Sequence, residues 1–134
     1  MKKVLFVCVE NSCRSQMADG FAKVLGKDKI ESYSAGSRPS GKVNPDAIKI
    51  MQEAGIDITA AQSKGFSDLG VKEFDYVITM GCQDTCPFIP AKEHIDWQIQ
   101  DPKGKDEAFF RKTRDLIKEK VQQLIERIDY GKTF

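Results

Sequence analysis

The chain of 134 residues lacks several features that mark common functional classes. Its formal net charge is only +1, so no overall field attracts nucleic acid or a membrane surface. The apolar run after Lys2 and Lys3 is too short for a secretory signal and ends at Glu10. No stretch approaches the length of a membrane span. We therefore expect a monomeric, cytoplasmic protein that binds neither nucleic acid nor membranes, with one domain over residues 1–134.

Histidine and cysteine are also scarce, since the chain has one histidine and four cysteines. For the single histidine, His94, a surface or capping role is favoured over ligation. Four cysteines in a cytosolic chain indicate catalysis or metal binding more than structural disulfides. Two close pairs could supply thiolates to zinc, although neither has the usual C-x2-C spacing. The four are Cys8, Cys13, Cys82 and Cys86.

Strand-like and helix-like segments alternate along the chain. Four segments have the composition of strands, the last of them weakly: residues 3–7, 30–35, 76–80 and 94–97. Four others have helical spacing or helix-capping residues: residues 15–26, 44–55, 67–71 and 106–130. This order predicts an α/β fold, with three layers, a four-stranded parallel sheet and helices on both faces.

Apolar side chains that recur every three or four residues predict which face of each helix is buried. The first helix carries Met17, Phe21, Val24 and Leu25 at this spacing. The second carries Ile48, Met51 and Ala54. The last helix has the longest set, which we expect to pack on the sheet: Phe109, Leu116, Ile117, Val121, Leu124, Ile125 and Ile128.

Cys8 and Arg14 frame a loop of pattern C-x5-R, which Ser15 follows. A buried strand precedes the loop and a helix begins at its end, so its backbone N–H groups can bind an anion. Arg14 can add a bidentate fork to a tetrahedral oxyanion, and the positive surroundings favour a Cys8 thiolate, to which Ser15 could donate. Asn11 tolerates the left-handed conformation of a tight loop. The alternative is an inert buried cysteine and a surface arginine.

A second thiol is expected beside this loop. In parallel α/β sheets, ligands bind at the carboxyl ends of the strands. Cys8 follows the first predicted strand and Cys82 follows the third. The two thiols are therefore predicted to lie in one crevice.

Three segments carry a resemblance that spans nearly the whole chain. They are VCVENSCRSQMADGF, YSAGSRPSGKVNPDAIKIMQEAGIDI and the later Asp101-Pro102. The sequence resembles the low-molecular-weight protein tyrosine phosphatase family, and within it the thioredoxin-coupled arsenate reductases. The resemblance implies that arsenate or phosphate is bound by Glu10, Asn11, Ser12, Cys13, Arg14 and Ser15. It also implies that Asp101 is a general acid, whereas its sequence context alone suits a turn aspartate.

The resemblance further implies a relay of three thiols. Cys8 attacks arsenic, Cys82 then attacks Cys8 and releases arsenite, and Cys86 attacks Cys82 to leave a disulfide that thioredoxin reduces. Glutaredoxin could serve a shortened relay. Cys82 and Cys86 are four residues apart, so on a helix their Cβ atoms would be about 5–6 Å apart. A disulfide needs about 3.5–4.5 Å, and residues 81–90 are therefore expected to rearrange during turnover.

Two other functions stay open at this point. One is a low-molecular-weight phosphatase whose extra cysteines give redox protection, and the other is a zinc-stabilised binding module. Cys13 is either a small loop residue or the partner of Cys8 in an off-pathway disulfide.

Two further expectations concern the surroundings of the loop. Some reductases of this type bind potassium, and Asn11, Asp19 and Ser34 match the ligand positions. Lys64 stands where an acidic ligand is expected, so its ammonium is the alternative to potassium. Trp97 either walls the site or packs under the loop.

Overall fold

Four parallel strands form the centre of the computed structural model, which describes residues 1–81 and 88–132. They run in the order β2-β1-β3-β4 and pair in parallel throughout, as predicted. Their bounds are Lys2–Cys8 for β1, Ile30–Gly36 for β2, Phe74–Thr79 for β3 and Ala91–Asp96 for β4. Strand β4 begins three residues earlier than predicted. It lies at the sheet edge and alternates half-buried with exposed positions, so its first half shows no apolar run.

Strand β1 is buried on both faces, as its continuous apolar run predicts. Val4 and Phe6 point into one apolar cluster, and Leu5 and Val7 point into the other. The alternation places the side chain of Cys8 on the same face as Val4 and Phe6. The nucleophile candidate therefore lies at the carboxyl end of a strand whose last five residues are buried.

Three α-helices lie in the described residues, and predicted capping residues bound two of them. They are α1 (Arg14–Leu25), α2 (Pro45–Glu53) and α3 (Glu107–Lys132). Gly26 caps the end of α1. The Asn44 side chain accepts from the amide of Asp46 and so caps α2, while Gly55, with φ of +79°, follows the end of that helix. A 3₁₀ turn at Phe66–Asp68 stands where a short helix over 67–71 was predicted.

The two faces of the sheet are covered unequally. Buried side chains of α1, α2 and α3 join the cluster that contains Val4 and Phe6. The opposite cluster is covered by the 3₁₀ turn and its neighbours, through Phe66, Leu69 and Val71. Within the described ranges, no helix is long and apolar enough to cross a membrane.

Three predicted core positions on α1 and α3 are wrong. Val24 is 56% exposed and Leu116 is 40% exposed. Phe110 is fully buried, whereas the adjacent Phe109, which was predicted, is only partly buried. Each of these positions has an apolar neighbour in the chain. The helical period fits both residues, and tertiary packing determines which of the two is buried.

Helix α2 shows the same kind of error. Its buried side chains are Ala47, Ile50 and Met51, while the predicted Ala54 is exposed and Ile48 is half-buried. This helix packs against α1 and α3. The tertiary arrangement of the three helices determines which face of α2 is buried, and the local sequence pattern does not reveal it.

Candidate active site

The loop from Cys8 to Arg14 joins the end of β1 to the start of α1. Its carbonyls turn outward to a neighbouring segment, residues 38–44. Three amides of that segment donate to them: Arg38 to Val9 at 2.8 Å, Ser40 to Glu10 at 3.2 Å and Asn44 to Ser12 at 3.0 Å. These hydrogen bonds occupy backbone carbonyl groups on the outer side of the loop. The backbone N–H groups of the loop can therefore point to its concave side, as in an anion-binding nest.

Helix α1 begins at this loop without a capping side chain. Cys13 stands at the N-cap position and makes no side-chain cap bond, and the first turn has no acidic residue. The first amides of a helix have no partner within the helix and carry partial positive charge. An oxyanion in the loop would therefore face both the loop amides and the positive end of the helix.

The tight curvature of the loop depends on two residues. Asn11 has φ of +52°, the left-handed conformation predicted for it. Gly36, at the end of β2, lies against the loop backbone. A Cβ atom at this glycine would come within 2.5 Å of the Val9 carbonyl oxygen and 2.8 Å of the Asn11 amide. No local motif revealed Gly36, because the close approach involves two separate strands.

A chain of hydrogen bonds ends at the Cys8 sulfur. Asn11 Nδ2 donates to Ser15 Oγ at 2.7 Å, and Ser15 Oγ lies 2.8 Å from Cys8 Sγ. Since the serine oxygen accepts from Asn11, its own proton is free to point at the sulfur. All three residues are almost wholly buried. A hydroxyl that donates to a buried sulfur stabilises its thiolate form.

Gln16 is a buried polar residue that sequence reasoning missed. Its Nε2 lies within hydrogen-bond distance of the Asn11 carbonyl at 3.1 Å, of Asn11 Oδ1 at 2.9 Å and of the Gln62 carbonyl at 2.9 Å. The side chain is 1% exposed. These contacts hold Asn11 in the orientation that presents its Nδ2 to Ser15. Its position in the first turn of α1, directly after Arg14 and Ser15, was the available signal.

The guanidinium of Arg14 is buried, with the residue 7% exposed. Its Nη1 donates to the Ile99 carbonyl at 2.9 Å, and its Nη2 lies 3.6 Å from Asp101 Oδ2. The Nε atom is buried and has no hydrogen-bond partner among the described residues. A bidentate fork to an oxyanion uses a pair of such N–H groups. Gly81 leaves room for this group, because a Cβ atom there would lie 2.5 Å from Nη1.

Asp101 lies beside Arg14 and also forms a turn. Its Oδ2 makes the ion pair with Arg14, and its Oδ1 accepts from the amide of Lys103 at 3.0 Å. The side chain is 44% exposed. The turn interpretation and the location beside the loop are therefore compatible, and the turn fixes the direction of the carboxylate.

The two described thiols, Cys8 and Cys13, are both buried and free. Burial raises the pKa of Cys13 to about 12, which keeps this side chain a neutral thiol at physiological pH. Cys82 and Cys86 lie outside the described residues, as does most of the segment expected to rearrange. Within residues 1–81 and 88–132, no three His, Cys, Asp or Glu side chains are grouped as a metal site would need.

The positions that match potassium ligands are Asn11, Asp19 and Ser34. Asn11 Oδ1 already accepts from Gln16 Nε2 and from the amide of Lys64, both at 2.9 Å. The Ser34 hydroxyl is buried and has no hydrogen-bond partner within the described part of the chain. A single free hydroxyl is too few oxygen ligands for a cation.

The carboxylate of Asp19 accepts hydrogen bonds from two side chains, one of them cationic. Lys23 Nζ donates to it at 3.0 Å, and Ser32 Oγ donates at 2.5 Å. Burial lowers the pKa of Lys64, while the charge of Asp19 acts in the opposite direction. The positive charges of the lysine side chains thus compensate the carboxylate of Asp19, as a potassium ion would. Asn11, Asp19 and Ser34 therefore do not fit a bound potassium ion.

Trp97 and His94 are structural in this arrangement. Trp97 is 7% exposed and its ring centroid lies 5.8 Å from that of Phe6, so it packs in the core. His94 Nε2 lies 2.7 Å from the Ile89 carbonyl oxygen, and its ring stacks on Phe88. Trp97 belongs to the apolar cluster that also contains Cys8 and Cys13, so it packs beneath the loop.

A parallel α/β sheet that ends in this loop defines a cysteine-based oxyanion-binding fold. Residues 3–133 match the low molecular weight phosphotyrosine protein phosphatase family. The chain belongs to that family.

Similar proteins in the family include arsenate reductases. The glutaredoxin arsenate reductase of Synechocystis sp. is 44% identical over 131 residues, which cover 96% of this chain and 99% of that protein. A solved arsenate reductase in the phosphate binding state has a TM-score of 0.86 at 44% identity, with 96% and 99% of the two chains covered. The thioredoxin-dependent arsenate reductase of Corynebacterium glutamicum has a TM-score of 0.82 at 34% identity, with 98% of this chain and 63% of that chain covered.

Proposed function

We propose that this protein reduces arsenate to arsenite through a Cys8 adduct and a disulfide relay that thioredoxin regenerates. The observation that carries the proposal is the short contact of 2.8 Å between Cys8 Sγ and Ser15 Oγ, beside the buried Arg14 guanidinium. This places a hydrogen-bonded cysteine sulfur beside a positively charged oxyanion site. The similarity to proteins named arsenate reductases favours arsenate as the anion.

In the first step, the Cys8 thiolate forms a bond to arsenic(V). One arsenate oxygen leaves as water after protonation, and we assign Asp101 as the acid that delivers the proton. Arg14 and the amides of residues 10–15 hold the other oxygens and stabilise their charge. The 3.6 Å separation of Arg14 and Asp101 supports these roles, because an anion held by Arg14 also lies close to Asp101.

In the second step, the thiolate of Cys82 attacks Cys8 Sγ. A disulfide forms, the sulfur–arsenic bond breaks, and its electron pair reduces arsenic(V) to arsenic(III), which leaves as arsenite. The thiolate of Cys86 then attacks Cys82, which releases the Cys8 thiolate. A dithiol protein reduces the Cys82–Cys86 disulfide. Two electrons from two thiols thus balance each turnover.

The reductant is proposed to be thioredoxin. One similar structure carries the name thioredoxin-dependent, while one similar sequence carries the name glutaredoxin arsenate reductase. A relay through Cys86 ends in a Cys82–Cys86 disulfide, which suits reduction by a dithiol protein and so favours thioredoxin. A shortened relay without Cys86 would instead favour glutaredoxin with glutathione.

The second candidate function is hydrolysis of phosphate esters. Membership of the phosphatase family favours it, because the same thiolate and arginine can attack phosphorus. In that case Cys8 forms a phosphoryl adduct that water hydrolyses, and the later cysteines have no role in turnover.

The test is a coupled assay of the purified protein with arsenate, thioredoxin, thioredoxin reductase and NADPH, beside an aryl phosphate assay. Cys82→Ser and Cys86→Ser are each expected to abolish multiple-turnover arsenate reduction and to spare aryl phosphate hydrolysis. Cys8→Ser is expected to abolish both. Full turnover of Cys86→Ser with thioredoxin would contradict the relay. Parallel assays with glutaredoxin and glutathione identify the reductant.

Cys13→Ser is the matched control for these substitutions. Cys13 is buried and its pKa is raised to about 12, so it is not available as a thiolate. We expect this variant to retain the relay and therefore to complete multiple turnovers. Loss of reduction in Cys13→Ser equal to that in Cys82→Ser would assign it a redox step and overturn the proposed order.

A further inference from the structure

The loop that would bind an anion contains an acidic side chain, Glu10, which by itself would repel that anion. Both of its carboxylate oxygens lie 2.8 Å from Lys103 Nζ. This contact raises the pKa of Lys103, which therefore keeps its positive charge at neutral pH. Lys103 thus neutralises the one acidic charge that the loop carries.

The ion pair also links two separate parts of the site. Glu10 belongs to the Cys8–Arg14 loop, and Lys103 belongs to the turn that holds Asp101. Asp101 in turn pairs with Arg14. The contacts close a ring from Glu10 to Lys103, to Asp101, to Arg14 and back along the loop.

Exposure shows which side of this ring faces solvent. The Arg14 side chain is 8% exposed, whereas the side chains of Glu10 and Lys103 are 31% and 55% exposed. The Glu10–Lys103 pair therefore lies on the solvent side of the buried guanidinium. Asp101, whose side chain is 44% exposed, lies between this pair and Arg14 in the ring.

We propose that the Glu10–Lys103 ion pair determines specificity, by admitting a compact tetrahedral oxyanion and opposing a phosphate monoester with a bulky organic group. The inference rests on the proposed function of Arg14 and Asp101. The leaving oxygen lies next to the general acid, so any organic group on that oxygen extends past Asp101 toward Lys103. Arsenate and inorganic phosphate carry only hydrogen there and leave the pair intact.

An exposed ion pair contributes little on its own, so the selection it imposes is modest. A bulky ester must displace the Lys103 side chain and leave Glu10 uncompensated beside the anion. Single substitutions confound this effect with a change in charge. The double variant Glu10→Gln/Lys103→Met removes the pair without changing the net charge of the site.

The test measures how well two probes protect Cys8 from alkylation by iodoacetamide, with the modified peptide identified by mass spectrometry. The probes are inorganic phosphate and phenylphosphonate, which is not hydrolysed. In the double variant, the affinity for phenylphosphonate relative to phosphate is expected to rise about two- to fivefold. The matched control removes the exposed pair of Lys49 and Glu107, which joins α2 to α3, and is expected to leave the ratio unchanged.

The outcomes separate this inference from the proposed function. If neither probe protects Cys8 in the natural protein, both the proposed oxyanion site and the specificity role are refuted. If both probes protect and the double variant shows an unchanged or lower ratio, only the specificity role is refuted. Equal melting temperatures by circular dichroism confirm that both double variants are folded.

Discussion

Gly36 offers the sharpest test of how the fold shapes the loop. The substitution Gly36→Ala adds one methyl group at the end of β2. In the structure that Cβ atom would lie 2.5 Å from the Val9 carbonyl oxygen, 2.8 Å from the Asn11 amide and 3.0 Å from the Cys8 carbonyl oxygen. All three neighbours are backbone atoms, so rotation of a side chain cannot relieve the contact.

The cost follows from that geometry. Forcing an extra methyl group into a packed region costs about 1–3 kcal/mol. For a chain of this size, that corresponds to a melting temperature lower by about 3–15 °C. Since β1 is held by β2 on one side and β3 on the other, the loop is the part that yields, and its displacement should weaken oxyanion binding as well.

The matched control is Gly65→Ala. The nearest atoms to a Cβ there are 3.6–3.9 Å away, and its φ of −96° and ψ of 178° suit any residue. Loss of chain freedom in the unfolded state should make this variant neutral or more stable by about 0.4–1 kcal/mol. The assays are thermal unfolding and protection of Cys8 from alkylation by inorganic phosphate. Equal melting temperatures and equal protection in the two variants would refute the role assigned to Gly36.

Three further predictions concern single side chains. Ser15→Ala should slow alkylation of Cys8 at neutral pH by about 10- to 100-fold, because a hydrogen bond to a charged group is worth about 1.5–3 kcal/mol; an unchanged rate would contradict the contact. Asn44→Ala should lower the free energy of unfolding by about 1 kcal/mol in urea, through loss of the α2 cap. The hydrogen bond from Arg111 lowers the pKa of Glu53 to about 2 from 4.5. Its stabilising effect is therefore present above pH 4.5 and lost as the pH falls toward 2, so Glu53→Gln should flatten the acid decline of the melting temperature.

Each of these has a conservative or remote control. Ser40→Ala removes an exposed hydroxyl near the loop and should leave Cys8 alkylation unchanged. Asn44→Asp keeps an N-cap acceptor and should retain most of the stability. Glu119→Gln changes an exposed carboxylate on the same helix as Arg111 and should leave the acid decline unaltered.

Local patterns predicted much of the fold. The continuous apolar run of β1 indicated a strand buried on both faces, and Asn44 with Pro45 marked the start of α2. Errors occurred where two apolar residues are adjacent on a helix, as at Phe109 and Phe110. The helical period fits both residues, and tertiary packing determines which of them is buried.

The candidate site was predicted where its residues are close in sequence. Cys8, Asn11, Arg14 and Ser15 lie within one loop and the first turn of a helix, so their spacing alone indicates an anion site. Gln16 was missed because its partners are a loop residue and the carbonyl of Gln62, which a local pattern does not reveal. The Lys103 contact with Glu10 was missed for the same reason, since 93 positions separate the two residues.

The sequence by itself determined the parallel α/β order and the C-x5-R loop, and it led to the proposal of Cys8 as nucleophile, because each depends on residues that are neighbours along the chain. Only the tertiary structure decided what surrounds the loop. It brings Gly36 against the loop backbone, seats the Arg14 guanidinium between Ile99 and Asp101, and joins Glu10 to Lys103. Such contacts depend on the distances between strand ends and turns, which follow from strand order and core packing.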